Sequence, residues 1–103
     1  MKIVAVTACP SGVAHTYLAA EALAIAAKKN GLEIKVETQG SIGIENELTV
    51  KDIQEANVVI LTNDIGIKKE DRFKGKPIVR VGSSDCIKKA DAIMKKIIEK
   101  LGQ

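Results

Sequence analysis

Cys9 is one of two cysteines in the chain, and the residues around it are those of a reactive thiol. The segment Thr7-Ala8-Cys9-Pro10-Ser11-Gly12-Val13-Ala14-His15-Thr16 follows a β-branched run, turns through Pro10 and Gly12, and enters a long helical stretch. Backbone N–H groups at a helix start have no intrahelical partner, and with the positive end of the helix dipole they form an anion site. A thiol held there has its pKa lowered, because the field and the N–H groups favour thiolate. A thiolate inside a phosphate-sized cradle is a nucleophile for phosphoryl transfer. The cradle comprises Pro10, Ser11, Gly12, Val13, Ala14, His15 and Thr16. The hydroxyls of Ser11 and Thr16 can donate to the anion, although both residues equally suit ordinary capping. His15, the single histidine, would add a pH-dependent donor, or stand in solvent as a plain helix residue. Cys86 reads as a small packing residue near the start of the last helix. One histidine and two distant cysteines make no metal site, and no cofactor is expected.

The elements that must position Cys9 follow from apolar patterning. Ile3-Val4-Ala5-Val6 is a buried strand, and residues 13–29 are a helix so apolar that it must pack closely on a sheet. Lys28 and Lys29 suit the C-terminal end of its dipole, and Asn30-Gly31 supplies the stop. Ile34-Lys35-Val36-Glu37-Thr38 alternates like a strand covered on one face, at an edge of the sheet, and 39–43 is a loop. Thr49-Val50-Lys51-Asp52 resembles a capping box opening a short helix that ends near Ala56. Val58-Val59-Ile60-Leu61 is a continuous apolar strand of the kind buried in parallel sheets. A short helical turn near Lys69 to Phe73 precedes the strand Pro77-Ile78-Val79-Arg80-Val81. Ser83 or Ser84 then caps one last helix with the stripe Ile87, Ala90, Met94, Ile97, Ile98 and Leu101.

This alternation predicts an α/β fold. We expect an open four-stranded parallel sheet of order 2-1-3-4, with helices on both faces in a Rossmann-like three-layer arrangement. Residues 1–103 form a single domain on this reading. In such a sheet ligands bind beyond the carboxyl ends of the strands at the switch point between strands 1 and 3. The loops that meet there begin at Cys9, Thr38 and Thr62. Gln39 and Gly40, and Asp64 in the third loop, are therefore candidates for an outer ring around Cys9, with simple turn chemistry as the plainer role of the first two.

Composition excludes several functions. The only aromatic residues are Tyr17 and Phe73, too few for a nucleic-acid stacking platform. A net charge of +3 is too small for duplex DNA binding, so no nucleic-acid partner is expected. The charge is uneven: residues 1–67 carry five basic and eight acidic side chains, residues 68–103 eleven and five. No apolar run approaches the roughly 18–20 residues that cross a bilayer, and the chain opens without signal-peptide character. The expectation is a cytoplasmic protein with reduced thiols and no insertion into the membrane.

The spacing Cys9-x5-His15-Thr16 resembles the Cys-x5-Arg-Ser/Thr loop of low-molecular-weight tyrosine phosphatases. Histidine replaces the arginine that would clamp phosphoryl oxygens bidentately, and no Asp-Pro general-acid segment is present. A much longer stretch, residues 6–23, closely resembles the signature of fructose-type IIB components of the bacterial phosphoenolpyruvate:sugar phosphotransferase system. The likeness continues through Val36-Glu37-Thr38-Gln39-Gly40-Ser41, Gly43-Ile44-Glu45-Asn46-Glu47-Leu48-Thr49 and Arg72-Phe73-Lys74-Gly75-Lys76-Pro77. Ser11 and Leu18 stand where that family more often has Thr and Met. The resemblance implies that Cys9 takes a phosphoryl group from a phosphohistidine on a IIA partner. It further implies delivery to fructose, or to a related sugar such as mannose, held by a membrane-embedded IIC partner. Two other functions compete: a phosphatase or thiol reductase using Cys9, and a non-catalytic binding module.

Overall fold

The computed structural model describes residues 1–8, 13–40 and 43–102. Its centre is β1 (Lys2–Thr7), whose Ile3 and Ala5 face one side of the sheet and Val4 and Val6 the other, all fully buried. Strand β1 pairs in parallel with β2 (Glu33–Gly40) and with β4 (Val58–Thr62), and β4 pairs in parallel with β5 (Ile78–Val81). These four strands fall in the expected relative order, but the sheet is neither four-stranded nor wholly parallel. A short β3 (Gly43–Glu45) runs antiparallel against the end of β2, giving the order β3-β2-β1-β4-β5. Three residues of sequence Gly-Ile-Glu carry no alternation that could distinguish a strand from a loop. Gly43, at φ +108°, occupies backbone space that L side chains avoid, so its turn-like composition is genuine even though it pairs. Strand β2 is consequently interior, and β3 and β5 are the edges.

The two apolar faces of the sheet are covered separately, as the three-layer expectation requires. One core joins Ile3, Ala5, Val36, Val58 and Ile60 to α1 (Val13–Lys29), α3 (Ser83–Lys88) and α4 (Ala90–Ile97). The other joins Val4, Val6, Val59 and Leu61 to Ile53 of α2 (Val50–Glu55) and to Phe73, in a 3-10 turn over Glu70–Phe73. Helix α1 has the bounds read from sequence and stops at Gly31 with φ +72°. It buries Ala19, Leu23, Ala26 and Ala27, while Leu18 and Ile25 stay exposed, so its apolar excess is not all packing. The capping box of α2 forms in full: Thr49 Oγ1 accepts from the Asp52 N–H, and Asp52 Oδ2 accepts from the Thr49 N–H.

The last helix differs from expectation. It is broken at Lys89, whose φ of −127° lies outside the helical region, and ends in a π-type turn over Ile98–Gly102. Gly82, not a serine, is the capping residue, and Ser83 is the first helical residue. The Ser83 N–H donates instead to Asp64 Oδ1 at 2.7 Å, so a carboxylate from the neighbouring loop does the capping from a distance. Because the break does not change which side faces the sheet, Cys86, Ala90, Met94 and Ile97 still enter one core.

Candidate functional site

The carboxyl ends of β1, β2, β4 and β5 converge as the switch-point argument requires. Cys9, Pro10, Ser11 and Gly12 lie outside the described residues, so their frame is what the structure defines. Ala8, immediately before Cys9, is buried and held by Thr62 at the end of β4. Thr62 Oγ1 accepts from the Ala8 N–H at 2.9 Å and donates to the Ala8 carbonyl at 3.0 Å. A hydroxyl can do both at once, and so fixes the peptide plane entering the loop. Thr7 Oγ1 donates to the Thr16 carbonyl at 3.3 Å, tying the end of β1 to the first turns of α1. The described residues on either side of 9–12 are thus fixed, Thr7 and Ala8 before them by Thr16 and Thr62, and the start of α1 after them.

His15 and Thr16 lie in those first turns, Thr16 buried and His15 half-buried, while Ala14 is exposed. His15 Nδ1 lies 3.4 Å from Ser83 Oγ, and Ser83 is fully buried. Asp64 reaches the same junction through the Ser83 N–H. His15, Ser83 and Asp64 thus come together from three elements. Sequence reasoning named the first and third but missed Ser83's part, having assigned it to capping. If the Ser83 hydroxyl donates to Nδ1, the proton of a neutral His15 sits on Nε2.

Gln39 has a different task from that of a direct ligand. Its Oε1 accepts from the Lys68 N–H at 2.7 Å, and its Nε2 donates to the Lys68 carbonyl at 3.0 Å and to Glu37 Oε2 at 2.8 Å. It therefore splices β2 to the loop that follows β4. Gly40 is exposed beside it. Together with Ala8, Ile44, Ile65 and Lys68 they line a cavity of about 260 Å³ next to the entry of the Cys9 loop.

Beneath this cavity lies a buried ion pair that the sequence did not announce. Arg72 Nη1 and Nη2 donate to Glu37 Oε1 and Oε2 at 2.8 and 2.6 Å, a bidentate fork, and the Leu48 N–H donates to Oε1 at 3.0 Å. Burial pushes the Glu37 carboxyl up, but the bonds from Arg72, Gln39 and Leu48 outweigh it and hold its pKa below the usual glutamate range. On the other side of the sheet the Cys86 thiol is pushed up to about 12, chiefly by burial and then by the charges of Asp64 and Asp85. It is a protonated packing residue, as its sequence position implied. Among the described residues no cluster of His, Cys, Asp and Glu could hold a metal, and no helix is long and apolar enough to cross a membrane.

A family model described as the PTS system lactose/cellobiose-specific IIB subunit matches residues 4–96. The PTS system fructose-like EIIB component 2 of Escherichia coli (strain K12) is 70% identical over 102 residues, covering 99% of this chain and 96% of that one. The PTS system fructose-specific EIIB'BC component of Haemophilus influenzae is 48% identical over 90 residues, which are 87% of this chain but 16% of that longer protein. The solution structure of the Enzyme IIB subunit of the PTS system from Escherichia coli K12 superposes with a TM-score of 0.92 at 42% identity, covering 98% of this chain and 94% of the other. The names agree on the IIB component and differ on the sugar.

Proposed function

This chain belongs to the fructose-type IIB components of the phosphotransferase system, and from that premise we propose that Cys9 is its phosphoryl acceptor. The Cys9 thiolate attacks the phosphorus of a phosphohistidine on a IIA partner. An S–P bond forms, the N–P bond breaks, and the imidazole leaves with its electron pair. A hydroxyl of the sugar held by the membrane-embedded IIC partner then attacks the same phosphorus. The S–P bond breaks, thiolate is regenerated, and the hydroxyl proton passes to a base beside the sugar. The enzyme is thus a protein-phosphohistidine–sugar phosphotransferase, with fructose or a related sugar as the final acceptor, working in the cytoplasm at the inner face of the membrane. The name EIIB'BC, which joins B and C units in one relative, favours the IIC partnership.

The observation that supports the reading is the fixing of the residues on either side of 9–12. Thr62 fixes Ala8 at its entry, and the head of α1 with His15 and Thr16 stands at its exit. A thiol between those anchors meets the N–H groups of the helix start, which stabilise both the thiolate and the transferring phosphoryl oxygens. Ser11, Gly12, Val13, Ala14 and Thr16 serve as that cradle, and Pro10 shapes the turn. His15 in place of a clamping arginine, and the lack of an Asp-Pro acid, favour a carrier over a phosphatase. A phosphatase must protonate its leaving group and admit water, whereas a carrier must protect its thiophosphate.

Incubation with phosphorylated IIA followed by mass spectrometry tests the assignment. One phosphate is expected, absent from Cys9→Ser and retained in Cys86→Ser. Phosphate persisting in Cys9→Ser would overturn it, and steady hydrolysis of an aryl phosphate would favour the phosphatase instead.

A further inference from the structure

The β5 edge of the sheet carries a groove that the carboxyl-end site does not use. A cavity of about 510 Å³ runs between this strand and α4, with Val79, Val81, Ile93 and Ile97 among the residues lining it. Lys96 and Lys100, one helical turn apart, complete its wall, and neither forms an ion pair among the described residues. Arg80, also at the groove, is already paired with Glu70 at 2.6 Å.

The strand beside this groove has one free side. The Val59 N–H donates to the Pro77 carbonyl and the Asn63 N–H to the Val81 carbonyl. Because alternate residues of a parallel strand address opposite neighbours, Val79 also bonds inward to β4. The N–H and C=O groups of Ile78 and Arg80 therefore point outward, where no strand follows among the described residues. Such an edge is a template for another extended chain.

We propose that this groove receives an extended segment of a partner protein in which acidic and apolar residues alternate, adding to β5 as a sixth strand. The outward groups of Ile78 and Arg80 supply main-chain pairing, the apolar floor takes every second side chain, and Lys96 and Lys100 select carboxylates. Residues 68–103 carry eleven basic against five acidic side chains, so the surrounding field has the same sign. A lipid surface could meet the lysines but cannot satisfy a strand's N–H and C=O groups. A second copy pairing through its own β5 would bring the same lysines face to face. A strand of four residues limits the contact to the small, transient class.

The test is an NMR titration of the whole chain with a blocked heptapeptide that alternates glutamate and valine. Shifts should concentrate in residues 77–81 and 93–100, with slowed amide exchange at Ile78 and Arg80. The Lys96→Glu/Lys100→Glu double variant lies at exposed positions and should keep its thermal midpoint while binding about tenfold more weakly or worse. The same peptide with lysine for glutamate should not bind. The proposal is overturned by absence of binding at millimolar peptide, or by shifts centred on residues 13–16 and 62–66. It is likewise overturned if sedimentation shows the groove closed by a second copy, or if anionic phosphatidylglycerol vesicles perturb it and the peptide does not. None of these outcomes depends on Cys9 chemistry, because no IIA protein is present.

Discussion

The Thr62 hydroxyl holds both polar groups of Ala8, and Ala8 is the last described residue before the thiol. Thr62→Val keeps the shape of the side chain and removes both hydrogen bonds, leaving a buried N–H and C=O without that partner. We expect a loss of about 1–3 kcal/mol in urea unfolding, with phosphoryl transfer slowed as well, and Thr62→Ser restoring most of both. Recovery in serine is the informative result, since a methyl-packing role would not be rescued by it. In the proposed mechanism His15 acts closer to the reacting atoms. As a donor to thiolate or phosphate it contributes a charge-assisted bond, so His15→Ala should slow transfer by about 10–100-fold with the fold intact. An unchanged rate, together with an unchanged Cys9 thiol titration, would return His15 to the role of an ordinary helix residue.

At the scale of elements, the strand β2, the 3-10 turn and the loop after β4 are joined through the Glu37–Arg72 pair and Gln39. Glu37 is fully buried and Arg72 largely so, with its guanidinium 4.7 Å from the centre of the Phe73 ring. Removing one member of such a pair strands the other, so Arg72→Met should cost about 3–5 kcal/mol near neutral pH. The pH dependence has a definite sign. The folded Glu37 carboxyl is held below its ordinary pKa, so the stability it contributes is present above the unfolded glutamate pKa and is lost as pH falls through the lowered folded one. In Arg72→Met the same carboxyl has lost its strongest partner and its pKa rises. The stability gap between the two proteins should therefore narrow as pH falls from the variant's raised Glu37 pKa to the lowered one of the unmodified protein, which denaturant titrations at several pH values will show.

For the whole molecule, the proposed relay requires IIA and IIC to reach the same thiol in turn, so the two complexes should be mutually exclusive and short-lived. Gly40 and Ile65 are exposed around the site, and α1 adds Tyr17 and Leu18 at its outer face. The hydroxyl of Tyr17 also donates to Glu45 of β3, so helix and edge strand present one surface. Small and apolar residues there can exclude water while phosphate moves. Titration with IIA should perturb residues 10–16, 39–43 and 63–67 and spare the lysine face of α3 and α4. If the strongest shifts fell on Lys88, Lys89, Lys95 and Lys96, docking would be governed by the basic half of the molecule instead.

What the amino-acid sequence determined by itself was much of what is local or periodic. The bounds of α1, the Thr49–Asp52 capping box, the parallel core strands in their relative order and the prominence of the Cys9 loop each rest on neighbours within a few positions or on a repeating apolar pattern. Strand β3 escaped because three residues beginning with glycine carry no pattern. The break at Lys89 escaped because the apolar stripe continues across it. Beyond these, only the tertiary structure decided which distant polar groups meet. Thr62 bonds Ala8 across 54 positions, Ser83 meets His15 across 68, and Arg72 reaches Glu37 across 35. No period or propensity links such residues. Each is a polar side chain that burial compels to find a partner, and the chain's path through the sheet decides which partner is within reach.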